Sequence, residues 1–166
     1  MMTDTCGCPP DTGADTCEPY VAPQPTVCPT CQHSGKPVDS LTLKALLAVP
    51  LTRLRTEEYR FCRSLDCPTV YYSADGTLTF TEADLREHVY QKHPMDDSVF
   101  VCYCFRHTLG DIKAEWVETH TSAVIEDITA GIRANQCACD IRNPQGSCCL
   151  GNVQAVIKRL EAQVTR

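Results

Sequence analysis

Six cysteines fall between Cys102 and Cys149, and no core built from that segment can ignore them. The stretch opens Val101-Cys102-Tyr103-Cys104-Phe105, crosses a run of helical pattern, and closes with Cys137-Ala138-Cys139 and Asn143-Pro144-Gln145-Gly146-Ser147-Cys148-Cys149. Two thiols one residue apart, met by others on a distant turn, make a four-thiolate pocket. Soft thiolates of that kind select an iron–sulfur cluster or zinc. Disulfides fit poorly, because Cys102 and Cys104 share one face of an extended segment while their partners sit side by side in one loop.

Cysteine is the compositional outlier at 13 of 166 residues, an odd number. The start, Met1-Met2-Thr3-Asp4, has neither the basic region nor the apolar run of a secretory signal. No apolar stretch reaches the roughly 18–20 residues of a membrane span. The expectation is a chain in a reducing cytoplasm, without a membrane span, where clustered cysteines bind metal. The formal net charge is −6. Residues 1–27 carry four acids and no base, residues 28–99 ten acids and eight bases, and residues 100–166 seven of each. Without a basic face, a nucleic-acid partner is not expected.

Residues 1–27 read as a disordered tail, rich in Pro, Gly, Thr and Asp, that contains Cys6, Cys8 and Cys17. Its Cys6-Gly7-Cys8 can hold a soft ion such as Cu(I), or be stray thiols. The first organised unit, residues 28–97, begins with Cys28-Pro29-Thr30-Cys31 and adds Cys62 and Cys67. Four thiolates on two turns linked by strands predict a small zinc-ribbon-like β unit with Zn2+ on Cys28, Cys31, Cys62 and Cys67. Strands are expected in Pro37–Leu54 and in a hairpin turning at Asp75-Gly76. Thr81-Glu82-Ala83-Asp84 predicts a short helix toward Lys92. His88 and His93 read as surface or packing residues, since four cysteines already complete the zinc. Pro94–Ser98 reads as a linker.

Thr108-Leu109-Gly110-Asp111 is a second helix-start pattern. Apolar stripes predict three helices in residues 98–166: Leu109, Ile112, Trp116 and Val117; then Val124, Ile125, Ile128 and Ile132; then Leu150 through Val164. Cys149 falls at the start of the third, where free N–H groups favour a thiolate. The fold class is α+β. No nucleophile–base pattern supports an enzyme; His107, near Cys104, reads as an exposed helix-start histidine, and His120 lacks a partner pattern.

Cys-Pro-x-Cys at 28–31, Tyr-Arg-Phe-Cys at 59–62 with Cys67, Val-Cys-Tyr-Cys at 101–104 and Asn-Pro-x-Gly-x-Cys-Cys at 143–149 occur in order. In that order they resemble the N-terminal region of the CopZ-type copper chaperones. The second half is also similar to the bacterioferritin-associated-ferredoxin-like (BFD-like) [2Fe–2S] domain. The resemblance implies zinc on the first quartet and a [2Fe–2S] cluster on Cys102, Cys104, one cysteine of 137/139 and one of 148/149. Matching the family's spacing favours Cys139, four residues before Asn143-Pro144. It favours Cys149, whose +4, +7 and +8 positions are Val153, Val156 and Ile157. Cys137 and Cys148 are then neighbours that are redox-active, copper-holding or simply packed. The Met-x-Cys-x-x-Cys loop that hands over copper in these chaperones does not occur here. The implied role is therefore one-electron transfer, such as Cu(II) to Cu(I) reduction, or metal and redox sensing. A copper ion, a copper-transporting P-type ATPase and a reductase are the implied partners. The alternative is a Cu(I)-binding chaperone, or a docking adaptor in which both sites are structural.

Overall fold

The structure is a computed structural model that describes residues 27–55, 58–121 and 123–164. It is α+β. Strands β1 (Lys36–Val38), β2 (Tyr59–Phe61), β3 (Thr69–Ser73) and β4 (Thr79–Thr81) form an antiparallel sheet in sequential order. Helix α1 (Ser40–Leu46) lies between the first two strands. A two-stranded ribbon follows, β5 (Phe100–Cys102) with β6 (His107–Thr108). Three longer helices come next, α2 (Leu109–Thr119), α3 (Ala123–Arg133) and α5 (Leu150–Val164), with the four-residue α4 (Cys139–Arg142) before the last.

The expected hairpin forms. β3 and β4 pair across a turn in which Gly76 takes φ +73°, the left-handed region glycine adopts without strain. Pro37–Leu54 differs from expectation: only Lys36–Val38 is extended and the rest opens as α1. Leu41 and Leu43 alternate like a strand. The face that is buried, however, is Leu43, Leu46 and Leu47 at helical spacing, while Leu41 stays 49% exposed. The Asp39 side chain accepts from the Leu41 N–H and starts the helix.

The helix expected from Thr81 to Lys92 is also shorter than its signal. Thr81 and Asp84 make a capping box, but it opens only a 3-10 turn, Glu82–Asp84. The chain then extends because Leu85 bridges Leu47, with Ala48 N–H donating to the Asp84 carbonyl and Arg86 N–H to the Leu46 carbonyl. Pairing with the exit of α1 outcompetes further helix. The second capping box, Thr108 with Asp111, starts a full helix.

One core packs the sheet and α1 around Tyr59, Phe61, Tyr71 and Phe80. Another packs α2, α3 and α5 around Leu109, Ile112, Ile128 and Val153. Of the first expected stripe, Leu109 and Ile112 are buried and Trp116 is half-buried against this core, whereas Val117 is 73% exposed. α3 passes close to the ribbon: a Cβ on Gly131 would sit 2.1 Å from the Phe105 ring, so a larger residue there would have to displace that ring. No helix among the described residues is long and apolar enough to cross a membrane.

Candidate metal centres

Cys28 and Cys31 sit on the turn before β1, while Cys62 and Cys67 flank the loop from β2 to β3. Backbone bonds shape both turns: Cys28 N–H donates to the His33 carbonyl, Gln32 N–H to the Cys28 carbonyl, and Cys62 N–H to the Val70 carbonyl. The sheet thus brings two knuckles face to face. All four sulfurs lie within 4.8 Å of one another. Cys28 and Cys67 are 3.8 Å apart, and Cys31 and Cys62 are 3.6 Å apart. Zn–S bonds of about 2.3 Å in a tetrahedron place sulfurs about 3.8 Å apart, so the donor set fits that ion. Cys28, Cys62 and Cys67 are buried, with Cys31 partly open.

Charge in this quartet is unevenly tolerated. Burial pushes the Cys62 thiol up to about 12 and also raises Cys67. Burial opposes charge at Cys31 too, but hydrogen bonding with the Ser64 hydroxyl and with His33 outweighs it and holds that thiol near 5. Four thiolates this close repel one another, and a divalent cation among them removes the conflict.

The second group gathers around the ribbon. Cys102 ends β5, Cys104 lies in the turn before β6, Cys139 begins α4, and Cys149 immediately precedes α5. Cys104 and Cys139 sulfurs are 3.5 Å apart. The Cys149 thiol acts on both Cys102 and Cys139, lowering those two thiols to about 7 and about 5 while its own is raised, although the sulfurs that all lie within 4.8 Å of one another are those of Cys104, Cys137 and Cys139. Burial raises Cys104, although the Ala138 N–H points at its sulfur from 3.4 Å. Cys137 joins them, 3.9 Å from Cys104 and 3.3 Å from Cys139. Cys148 is exposed. Cys6, Cys8 and Cys17 lie outside the described residues.

Side chains beside the cysteines hold this group in place. Gln145, 8% exposed, donates to the Ser147 and Cys148 carbonyls and accepts from Gln91 and Asn152. The Asn143 side chain donates to the Ser147 carbonyl. Tyr103, between the first two cysteines, donates to the His88 carbonyl and accepts from the Tyr90 N–H. Only a tertiary structure assigns such bonds, since amides and phenols in loops are common. His107 pairs with Asp127 at 2.7 Å, and its charge helps lower Cys102.

Residues 25–86 match the CopZ zinc-binding domain family. The X-ray structure of the Archaeoglobus fulgidus CopZ N-terminal domain is similar over most of its length. Its TM-score is 0.66 at 25% identity, with 78% of this chain and 96% of that one covered. Residues 25–86 are thus similar to a CopZ-type zinc-binding domain, and the fold to a CopZ N-terminal domain. Among curated proteins none matches. The matched residues include both cysteine knuckles of the sheet, Cys28/Cys31 and Cys62/Cys67.

Proposed function

We propose that this chain is a zinc- and [2Fe–2S]-binding protein of copper handling, with a one-electron role. Zinc sits on Cys28, Cys31, Cys62 and Cys67, and the cluster on Cys102, Cys104, Cys139 and Cys149. The observation that carries the reading is the convergence of the second cysteine group, drawn from three separate segments onto one patch beside a CopZ-type zinc-binding domain. An all-sulfur donor set of this kind suits iron. The bound cluster supplies a one-electron couple, and reduction of Cu(II) to Cu(I) is the use that copper handling suggests.

The chain's own residues supply the setting. The Ala138 N–H and the free amides at the start of α5 ease negative charge on Cys104 and Cys149. Gln145 and Asn143 lock the loop that delivers Cys149. Tyr103 pins the Cys102–Cys104 turn to the neighbouring loop.

Anaerobically purified protein tests the reading by metal analysis, visible absorption and EPR. Roughly two iron and one zinc per chain with a reducible signal are expected if four thiolates serve each site. Iron-free, colourless protein overturns it. One observation favours a second reading: Cys104, Cys137 and Cys139 form a three-sulfur group within 4.8 Å. That set suits Cu(I), as a chaperone would need. Stoichiometric Cu(I) uptake by the iron-free protein, lost in Cys137→Ser, would select it.

A further inference from the structure

Glu82, His88 and His93 lie between the two cysteine groups in the chain and belong to neither, yet their donor atoms lie within 4.8 Å of one another. Sequence alone gave no reason to choose them, because a completed zinc quartet needs no histidine. A separate site is a different matter. The 3-10 turn presents Glu82, and the loop after Leu85 folds back over it. His93 Nε2 stands 2.6 Å from one carboxylate oxygen and His88 Nδ1 stands 3.3 Å from the other. The Val89 N–H donates to that second oxygen and fixes the carboxylate. The two rings meet edge to face at 87°, with centroids 5.8 Å apart, so neither stacks on the other and both present nitrogen to the same acid.

The surroundings suit a cation. The Glu82 and His93 walls belong to an open groove of about 560 Å³ that also touches Asp66 and Cys67. Asp96 lies close enough for its charge to interact with both imidazoles. Lys92, the cation lining the groove, is turned aside, its ammonium donating to the Ser64 carbonyl. His88 is 77% exposed and His93 38%, so an ion can enter without unfolding.

We propose that Glu82, His88 and His93 form an open three-ligand site for a borderline divalent cation, Zn(II) or Cu(II). Two imidazoles and a carboxylate suit such ions, whereas Cu(I) goes to sulfur. Bonds of about 2.0–2.2 Å to neighbouring donors put those donors roughly 3–3.5 Å apart. The His88 spacing already meets this, and His93 has only to back away by a rotation of its ring. Three protein ligands leave a fourth position for water or a transferred ligand. The site does not rest on the assignment of the cysteine-bound groups.

The test is a calorimetric titration of Zn(II) into the full chain, with its cysteine sites first loaded and the remaining thiols alkylated. One further equivalent of zinc is expected. Its affinity should fall at least tenfold in His93→Ala and in Glu82→Gln, and stay unchanged in His120→Ala. Glu82 also supports the local fold, so His88→Ala, at an exposed position, is the second variant and should show the same loss. The proposal is overturned if the wild type takes up no additional zinc, or if His88→Ala and His93→Ala bind it as the wild type does. In either case the three residues form a hydrogen-bonded cluster only.

Discussion

The Tyr71 hydroxyl, from the middle of the four-stranded sheet, donates a 2.6 Å hydrogen bond to the Pro144 carbonyl in the loop that leads to Cys149. Both residues are buried, and burial keeps the Tyr71 phenol protonated, its pKa raised above the usual tyrosine range. Tyr71→Phe leaves that carbonyl buried without its donor. Losing such a partner costs about 1–3 kcal/mol. The urea midpoint of the metal-loaded protein should fall accordingly, with zinc content unchanged. An unaltered midpoint would show that the bond contributes nothing.

Removing zinc should undo the sheet. Cys28, Cys62 and Cys67 are buried, and Tyr72 packs among them. A structural zinc typically contributes about 10–16 kcal/mol of apparent binding free energy, which becomes folding free energy. Treatment with a strong chelator is expected to erase the near-ultraviolet dichroism of Tyr59, Tyr71 and Tyr72, and added zinc to restore it. A chelated, zinc-free protein with its native spectrum would contradict this.

Cys137 and Cys139 are two residues apart and both touch Cys104, but burial raises the Cys137 thiol whereas Cys149 lowers that of Cys139. Cys139→Ser should abolish the visible absorption of the [2Fe–2S] form. Cys137→Ser should retain it. The reverse pattern, read from the same spectra, would exchange the two assignments.

Asp111 gives a pH effect with a definite sign. Hydrogen bonds from the Thr108 hydroxyl and N–H hold its carboxyl below the ordinary aspartate range. A depressed folded pKa means that the carboxylate's contribution is complete above the unfolded value of about 3.9. It disappears as pH falls through the lower folded value. Carboxyl and Thr108 amide shifts in NMR should therefore titrate below about 3.9 in the wild type. In Thr108→Ala the midpoint should return upward, and the lost cap should cost about 1 kcal/mol near neutral pH. A wild-type midpoint at or above the ordinary value would refute it.

Features written in local spacing were legible in the sequence. The paired knuckles, the Asp75-Gly76 turn, the Thr108–Asp111 box and the three helical stripes depend on residues a few positions apart. Leu41 and Leu43 misled because their alternation suits a strand. Burial of Leu43, Leu46 and Leu47 decides otherwise, and burial is a property of the whole fold. The Thr81 box was real, yet the Leu47–Leu85 bridge stopped the helix after one turn. The meeting of His88 and His93 on Glu82 depends on how the loop returns after Leu85, which no period reveals. Nor does any motif announce that Gln145 or Tyr71 secures the cysteine loop.

Gly146 takes φ +63° and lies flush against the first half: a Cβ there would meet Val38 Cγ2 at 2.8 Å and Thr42 Oγ1 at 3.1 Å. The Thr42 hydroxyl, in turn, donates to the Asp140 carbonyl at 2.6 Å. An unrelated module put in place of one half would meet a seam shaped at the scale of a single methyl group.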